Sequence, residues 1–469
     1  VLLLMRMEMK LIVRIGRGRG VVNSRPFLAK SLSVSFCSSL FLSSCSFLGN
    51  EGSVENDTDH RVYEGEAPSY SQVNSVSGVA WEWEVPDEDA SLSEVLSGQS
   101  GPVMVLGDGV VGLDGATGEE LWHYRVASGG VHDVWSTPGG QEILLTTPGS
   151  KPDTMVLLDA GTGQLIAEHG IDLEEALERT VAVTSDMAVV APTQGEGPLE
   201  AFSLREGERV WTYELAERGD SAGAVIEDVL SVGETVVVTA SYKGSISEND
   251  SVDIYEQGML AVGLDGQTGE LLWEVEQEFT ADMWHEPEHE VSPGGEVFFL
   301  SVRGEDRYEF LLDPDTGEEV QGEVYRDRTE RHSVALLDGG YVDSVSEDED
   351  DFVEYRRMSF GGDLLGRASV QRLPGEGNSG PELVLEDGVL RLGYLEDEDL
   401  VRGPVVAEFV EWGSESEPEK MNLDMTVNEE WWSEPDPSFS LGAPVVLSVP
   451  GAVVVTEDEP GPWTVVGLT

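Results

Sequence analysis

The stretch Val110–Trp122, VVGLDGATGEELW, decides the fold. An apolar run meets Asp-Gly-Ala-Thr-Gly and leaves it as a second run ending on Trp122. This is a β-hairpin written in turn chemistry. The Asp side chain can bond turn amides, the second Gly accepts positive φ, and the apolar run before them reads as a buried strand. The Thr hydroxyl adds a local bond, and the Trp offers a flat surface to a neighbour.

The unit recurs as MVLLDAGTGQLIA (Met155–Ala167), LEAFSLREGERVW (Leu199–Trp211), AVGLDGQTGELLW (Ala261–Trp273) and EFLLDPDTGEEVQ (Glu309–Gln321). The turn residues are Asp114, Thr117 and Gly118; Asp159, Thr162 and Gly163; Gly207; Asp265, Thr268 and Gly269; Asp313, Thr316 and Gly317. The turn glycines are spaced by 45, 44, 62 and 48 residues. The long interval holds a polar insertion, residues 242–258, that reads as an extended loop. A further β-rich run precedes each hairpin, for example EILLTT (Glu142–Thr147) and TVVVTAS (Thr235–Ser241). Four short strands every 40 to 50 residues are the pattern of a propeller blade.

Beyond residue 321 the turn decays while the strand rhythm continues. Residues 341–346 with 354–360 make a sixth pair, 389–394 with 404–412 a seventh, and 452–457 with 463–469 an eighth. The expectation is an all-β, eight-bladed propeller over residues 78–469, or a seven-bladed one if the sixth and seventh pairs do not both form blades. The chain ends on WTVVGLT, half a hairpin, and SGVAWEWEV (residues 77–85) carries a Trp late in a strand. That N-terminal strand is expected to pair with the C-terminal one and close the ring, which leaves no open blade. Trp81 then joins Trp122, Trp211 and Trp273 as a blade-packing residue.

These hairpins resemble the pyrroloquinoline-quinone (PQQ) repeat of quinoprotein alcohol dehydrogenases and their non-enzymatic relatives, among them a lipoprotein that helps assemble outer-membrane β-barrels. The resemblance implies an eight-bladed propeller and leaves function open, because fold does not fix function. In the enzymes it implies a cofactor held by a disulfide of adjacent cysteines, a Ca²⁺ bound by Glu, Asn and Asp, and a carboxylate base. This chain has two cysteines, Cys37 and Cys45, which are not adjacent.

Both lie in an N-terminal segment with the order of a secretory signal: basic Arg25 and Lys30, then a run of small and apolar residues closing on LSSC (residues 42–45). LSSC resembles the lipobox of bacterial lipoproteins, which implies cleavage before Cys45 and a lipid on its thiol; the alternative is an ordinary signal cut nearby. Residues 1–44 are assigned to the signal, with translation expected to start near Val22. Residues 45–77 are assigned to the lipidated cysteine and a flexible, polar tether.

Charge is uneven. The chain holds 27 basic and 91 acidic residues, a net of −64. Residues 1–44 carry seven bases and one acid, so the rest carries 20 and 90, a net of −70. Such a surface repels nucleic acid and anionic headgroups and favours solubility.

No catalytic, cofactor or metal set stands out. The repeat aspartates read as turn residues. His285 and His289 in WHEPEHE are four apart, but Pro287 argues against the helix that would bring them together. His132–Asp133 has no candidate nucleophile beside it. The acidic run of residues 346–351 reads as a solvated loop. Trp431 and Trp432 lie in a long polar connection and are candidates for a partner surface, with packing between blades as the alternative. The expectation is a monomeric, lipid-anchored, extracytoplasmic propeller that binds or scaffolds an unidentified protein or polymer, without a cofactor. The alternatives are a secreted PQQ-dependent oxidoreductase and an extracellular sensor or accessory domain.

Overall fold

Along Pro102–Leu106 every residue is buried, and alternate side chains go opposite ways. Val103 and Val105 join a core group with Ile143, Leu145, Val156 and Leu158; Met104 and Leu106 join one with Val449, Ala452, Val454 and Val465. A strand covered on both faces reads as an unbroken apolar run, which is why these central strands are so rich in Val and Leu.

The structure is a computed structural model. It describes residues 12–13, 58–85, 91–126, 130–147, 153–171, 180–192, 197–215, 224–249, 252–281, 287–303, 307–322, 331–345, 352–371, 382–394, 404–414, 417–426, 445–456 and 464–469. Eight antiparallel sheets follow one another along the chain. Blade 1 runs from Leu92 to Val126, blade 2 from Val134 to Ile171, blade 3 from Val181 to Tyr213 and blade 4 from Val225 to Ala281. Blade 5 runs from Glu288 to Leu312, blade 6 from Arg331 to Gln371, blade 7 from Glu382 to Thr426 and blade 8 from Val445 to Leu468. Blade 5 shows three strands among the described residues, with a single bridge, Leu312–Glu319, beyond the third.

Eight apolar core groups lie between the blades. Each takes side chains from two successive blades, and the group holding Val453 and Val466 of blade 8 joins Leu390 and Ala407 of blade 7. The group holding Met104 joins blade 8 to blade 1, so the circle is complete. The count is eight, and both motif-poor pairs form blades.

The last blade is finished by the start of the propeller, as the half-hairpin at the C-terminus requires. Val79–Glu84 runs antiparallel to Thr464–Leu468, with Trp81 opposite Gly467 and Glu84 opposite Thr464. Ser77 and Gly78 donate backbone bonds to the Thr469 carbonyl at 2.8 and 3.1 Å.

Two expectations change. The flexible tether assigned to residues 45–77 does not extend through residue 77. Thr58–Arg61 pairs antiparallel with the outer strand of blade 1, and Val76 is buried between blades 7 and 8. Backbone polar groups and one apolar side chain find partners on the propeller, which a tether would leave in water. The polar insertion of blade 4 is a long hairpin: Thr235–Asn249 and Val252–Asp265 pair far beyond the blade, and the strand Leu271–Ala281 follows them. Its base is stiffened where Gly258 leaves room for the Tyr242 ring; a Cβ there would lie 1.9 Å from that ring.

Candidate functional site at the mouth of the axis

The Asp-x-x-Thr-Gly turns all lie at one end of the blades, and their carboxylates are engaged locally. Asp114 Oδ1 accepts from the amides of Ala116 and Thr117 at 3.0 and 2.9 Å. Asp159 Oδ1 accepts from the Thr162 amide at 2.8 Å and its hydroxyl at 2.6 Å. Asp265 takes the amide and hydroxyl of Thr268, both at 2.8 Å, and Asp313 takes the amides of Asp315 and Thr316, both at 2.9 Å. Gly118, Gly163, Gly207, Gly269 and Gly317 hold φ between 67° and 69°, a left-handed conformation that a side chain would strain.

Each Trp crosses to the next blade. Trp81 donates its indole N–H to the Gly115 carbonyl (2.8 Å), Trp122 to Ala160 (3.0 Å), Trp211 to Gly266 (3.0 Å) and Trp273 to Pro314 (2.7 Å). The rings lie against Gly118, Gly163, Gly269 and Gly317, where a Cβ would sit 2.5–2.7 Å from indole or Cβ atoms. In three blades a glycine opposite the Trp in its own sheet makes room for it: a Cβ at Gly112, Gly263 or Gly467 would come within 2.0–2.2 Å of the indole.

Two contacts without that Trp, between blades 2 and 3 and between blades 6 and 7, are filled in other ways. Blade 2 carries Ala167 at the Trp position, and Leu204 is buried at the acceptor position of blade 3. His169 covers Gly207 instead, with its ring Nε2 2.5 Å from the Arg205 carbonyl. Blade 6 carries Gly366 at the Trp position, and blade 7 places Trp412 over it, about 3.4 Å from where a Cβ would stand. A bulky residue on one side meets a small one on the other at each contact, as close packing demands.

A cavity of about 760 Å³ opens at this end of the axis, walled by Ser136, Asp338, Arg357 and Glu386, with Gln72 and Asn74 across it. The last two belong to the N-terminal segment, which straps the turns together. Tyr63 donates its amide to the Thr162 carbonyl in blade 2 (2.9 Å), and Pro68 accepts from the Ser100 hydroxyl in blade 1 (2.8 Å). Tyr70 donates its hydroxyl to Asp114 Oδ2 (2.9 Å). Ser71 accepts from the Gly451 amide in blade 8 (3.1 Å), and Asn74 from the Asp387 amide in blade 7 (3.0 Å). Burial, and then the hydrogen bond to Asp114, raises the Tyr70 phenol above its ordinary value.

The remaining sequence candidates do not converge. His289 lies in the first strand of blade 5, 3.2 Å from Asp228 of blade 4, while His285 falls outside the described residues. Asp133 has its carboxyl raised by burial, opposed by His132. Cys45, residues 346–351, Trp431 and Trp432 also fall outside the described residues. Sequence reading missed two buried charge pairs in the motif-poor blades. Arg391 and Glu408 are directly opposite in blade 7 and fully buried, with the Arg391 Nε 3.0 Å from Glu408 Oε2. Asp343, fully buried in blade 6, accepts two bonds from Arg356 at 2.9 and 3.0 Å. The signal was present in blade 7, where Arg391 and Glu408 each interrupt an apolar run.

These residues do not fit the cofactor that the PQQ repeat brings to mind. PQQ is a tricarboxylate, and the cavity sets the carboxylates of Asp338 and Glu386 against one basic side chain, Arg357. Asp338 already accepts the Gly294 amide at 2.8 Å, and the four repeat aspartates are committed to their turns. Among the described residues no three His, Cys, Asp or Glu gather as a metal set.

Comparison with solved structures gives distant likenesses. BamB from Moraxella catarrhalis is 12% identical, with 72% of this chain and 99% of that one covered and a TM-score of 0.29. The quinohemoprotein alcohol dehydrogenase from Comamonas testosteroni is 13% identical, with 88% and 76% covered and a TM-score of 0.36. A search of curated proteins finds no match. The family model described as outer membrane protein assembly factor BamB matches residues 107–359, more than half of the 469-residue chain. This PQQ-repeat propeller belongs to that family.

Proposed function

We propose that the chain is a propeller exported to the outer face of the cell membrane, anchored there by a lipid on Cys45, and that it binds or scaffolds other proteins without chemistry of its own. The observation that carries this reading is the family membership, whose described role is assembly, on a chain whose repeat carboxylates are all engaged in turns. The order of basic residues, apolar run and LSSC supports the anchor. Residues 46–57 separate Cys45 from the strand Thr58–Arg61 on blade 1. Fully extended, that spacer reaches at most about 40 Å, so the propeller stays close to the membrane.

The test has two arms. Purified protein given PQQ and Ca²⁺ is expected to retain no cofactor absorbance and to show no dye-linked oxidation of alcohols or sugars; stoichiometric cofactor with turnover would refute the non-catalytic reading. Cys45→Ser is expected to leave the protein uncleaved or release it to the medium. A variant that stays processed and membrane-bound refutes the anchor.

A further inference from the structure

On a chain of net charge −64, the outer hairpin of blade 6 is the exception. Residues 352–371 hold Arg356, Arg357 and Arg367 against Glu354 and Asp363, a net of +1, whereas every other outer hairpin is net negative. The fourth strand, Leu364–Gln371, contains no acid and no proline.

Its two faces differ. Ala368 and Val370 are buried toward blade 7, while Leu365, Arg367, Ser369 and Gln371 face the other way and are exposed. Phe352 stands opposite Gln371 and Arg356 opposite Arg367. Phe352 is 55% exposed, Leu364 53% and Leu365 59%. The blade 1 counterpart of Leu365 is Leu121, which is 7% exposed where Thr58–Arg61 lies alongside its strand. Leu365 has no such cover among the described residues.

The arginines differ as well. Arg356 is neutralised by buried Asp343. Arg367, directly across the strand pair, has no ion-pair partner among the described residues, although acids outnumber bases by more than three to one in this chain. Because Arg356 is already paired with Asp343, a carboxylate from outside the chain is directed to Arg367. Exposed apolar side chains flanking an unpaired charge form a surface that recognises both shape and sign.

We propose that this strip is a docking surface for an extended segment of a partner protein that turns one face to it, with apolar residues at the ends of that face and acidic ones between them. From Leu365 to Gln371 the strand spans about 20 Å, the length of six extended residues. A carboxylate of the partner pairs with Arg367 at mid-strip, and apolar side chains cover Leu364–Leu365 at one end and Phe352 at the other. The inference rests on the scaffold reading and names its surface; PQQ-dependent turnover would remove that reading whatever the peptide experiment shows.

The probe is a fluorescent synthetic octapeptide, Leu-Thr-Glu-Thr-Glu-Thr-Leu-Thr, whose odd residues share one face, titrated with purified protein and followed by anisotropy. Binding is expected to fall at least about tenfold in Arg367→Glu and in Leu365→Asp. Both positions are exposed, so unchanged melting temperatures identify the loss as local. Val210→Asp, on the blade 3 rim, is expected to bind like the parent. The proposal is overturned by failure to bind at millimolar concentration, by equal binding of a peptide with lysine at the acidic positions, or by variants that bind unchanged. Sedimentation showing a dimer that Arg367→Glu dissolves would also overturn it, by assigning the strip to a second copy of this chain.

Discussion

The indole of Trp81 donates to the carbonyl of Gly115 at 2.8 Å, joining the outer strand of the last blade to a turn of the first. This bond crosses the seam where the ring closes. Trp81 is buried, and the glycines at 118 and 467 leave it room on either side.

Trp81→Ala is therefore expected to cost about 3–5 kcal/mol, in the range for buried aromatic truncation, and to lower the denaturant midpoint accordingly. Deleting residues 77–85 should go further and produce aggregation, because the strand Thr464–Leu468 loses its partner and becomes an open edge. A deletion of residues 58–70 should lower the melting temperature, since it removes a paired strand and the Tyr70 bond.

The reciprocity at blades 6 and 7 predicts a rescue. Gly366→Trp collides with Trp412 and should destabilise by about 1–3 kcal/mol or more, as overpacking does. Trp412→Gly empties the same space and should cost about 3–5 kcal/mol. The double variant removes the collision of the two rings and refills the emptied space from the blade 6 side, so it should be more stable than the sum of the two losses by about 1 kcal/mol or more. Additive losses in urea denaturation would show that the two sites pack independently.

Alkaline pH should loosen the strap. The folded state raises the Tyr70 phenol, so above the ordinary value near 10 the folded chain holds a proton that the unfolded chain has lost. This contribution is complete below pH 10 and disappears as pH rises through the folded value. Tyr70→Phe, which cannot bond Asp114, should melt below the parent at pH 8, by about 1 kcal/mol after allowing for exposure. The gap should close above pH 10. A gap constant between pH 8 and pH 11 would show that the phenol proton plays no part.

Arg391 and Glu408 test a buried charge pair. Arg391→Ala removes the buried partner of Glu408 and leaves it the exposed Lys420 ammonium, 3.3 Å away, so it should cost about 3 kcal/mol, the low end for a broken buried pair. Replacing both, Arg391→Met with Glu408→Leu, should recover most of that loss, because well-packed apolar side chains need no desolvation of charge. Thermal unfolding of both variants distinguishes the outcomes.

The sequence by itself determined the blade. VVGLDGATGEELW encodes strand, turn and strand through local chemistry: Asp114 bonding amides two and three residues on, and Gly118 at positive φ. Such interactions span a few residues, so a linear reading captures them. It also supplied ring closure, because an incomplete hairpin at Thr469 and an isolated strand at Trp81 have complementary needs. One signal was present and unread: Gly112, Ala201 and Gly263 precede a Trp, whereas Leu157 and Leu311 do not, since the indole needs that space in its own sheet.

Tertiary structure decided what depends on contacts between distant positions. A polar, aperiodic stretch such as residues 58–77 has the composition of a tether, and no local rule shows that Thr162, Ser100, Gly451 and Asp387 each offer it a hydrogen bond. Nor does sequence show that the bulky partner at the blade 6–7 contact comes from blade 7, because Gly366 and Trp412 meet only after both blades have folded. Turn chemistry is local and therefore legible, whereas packing and satisfied backbone groups belong to the closed ring.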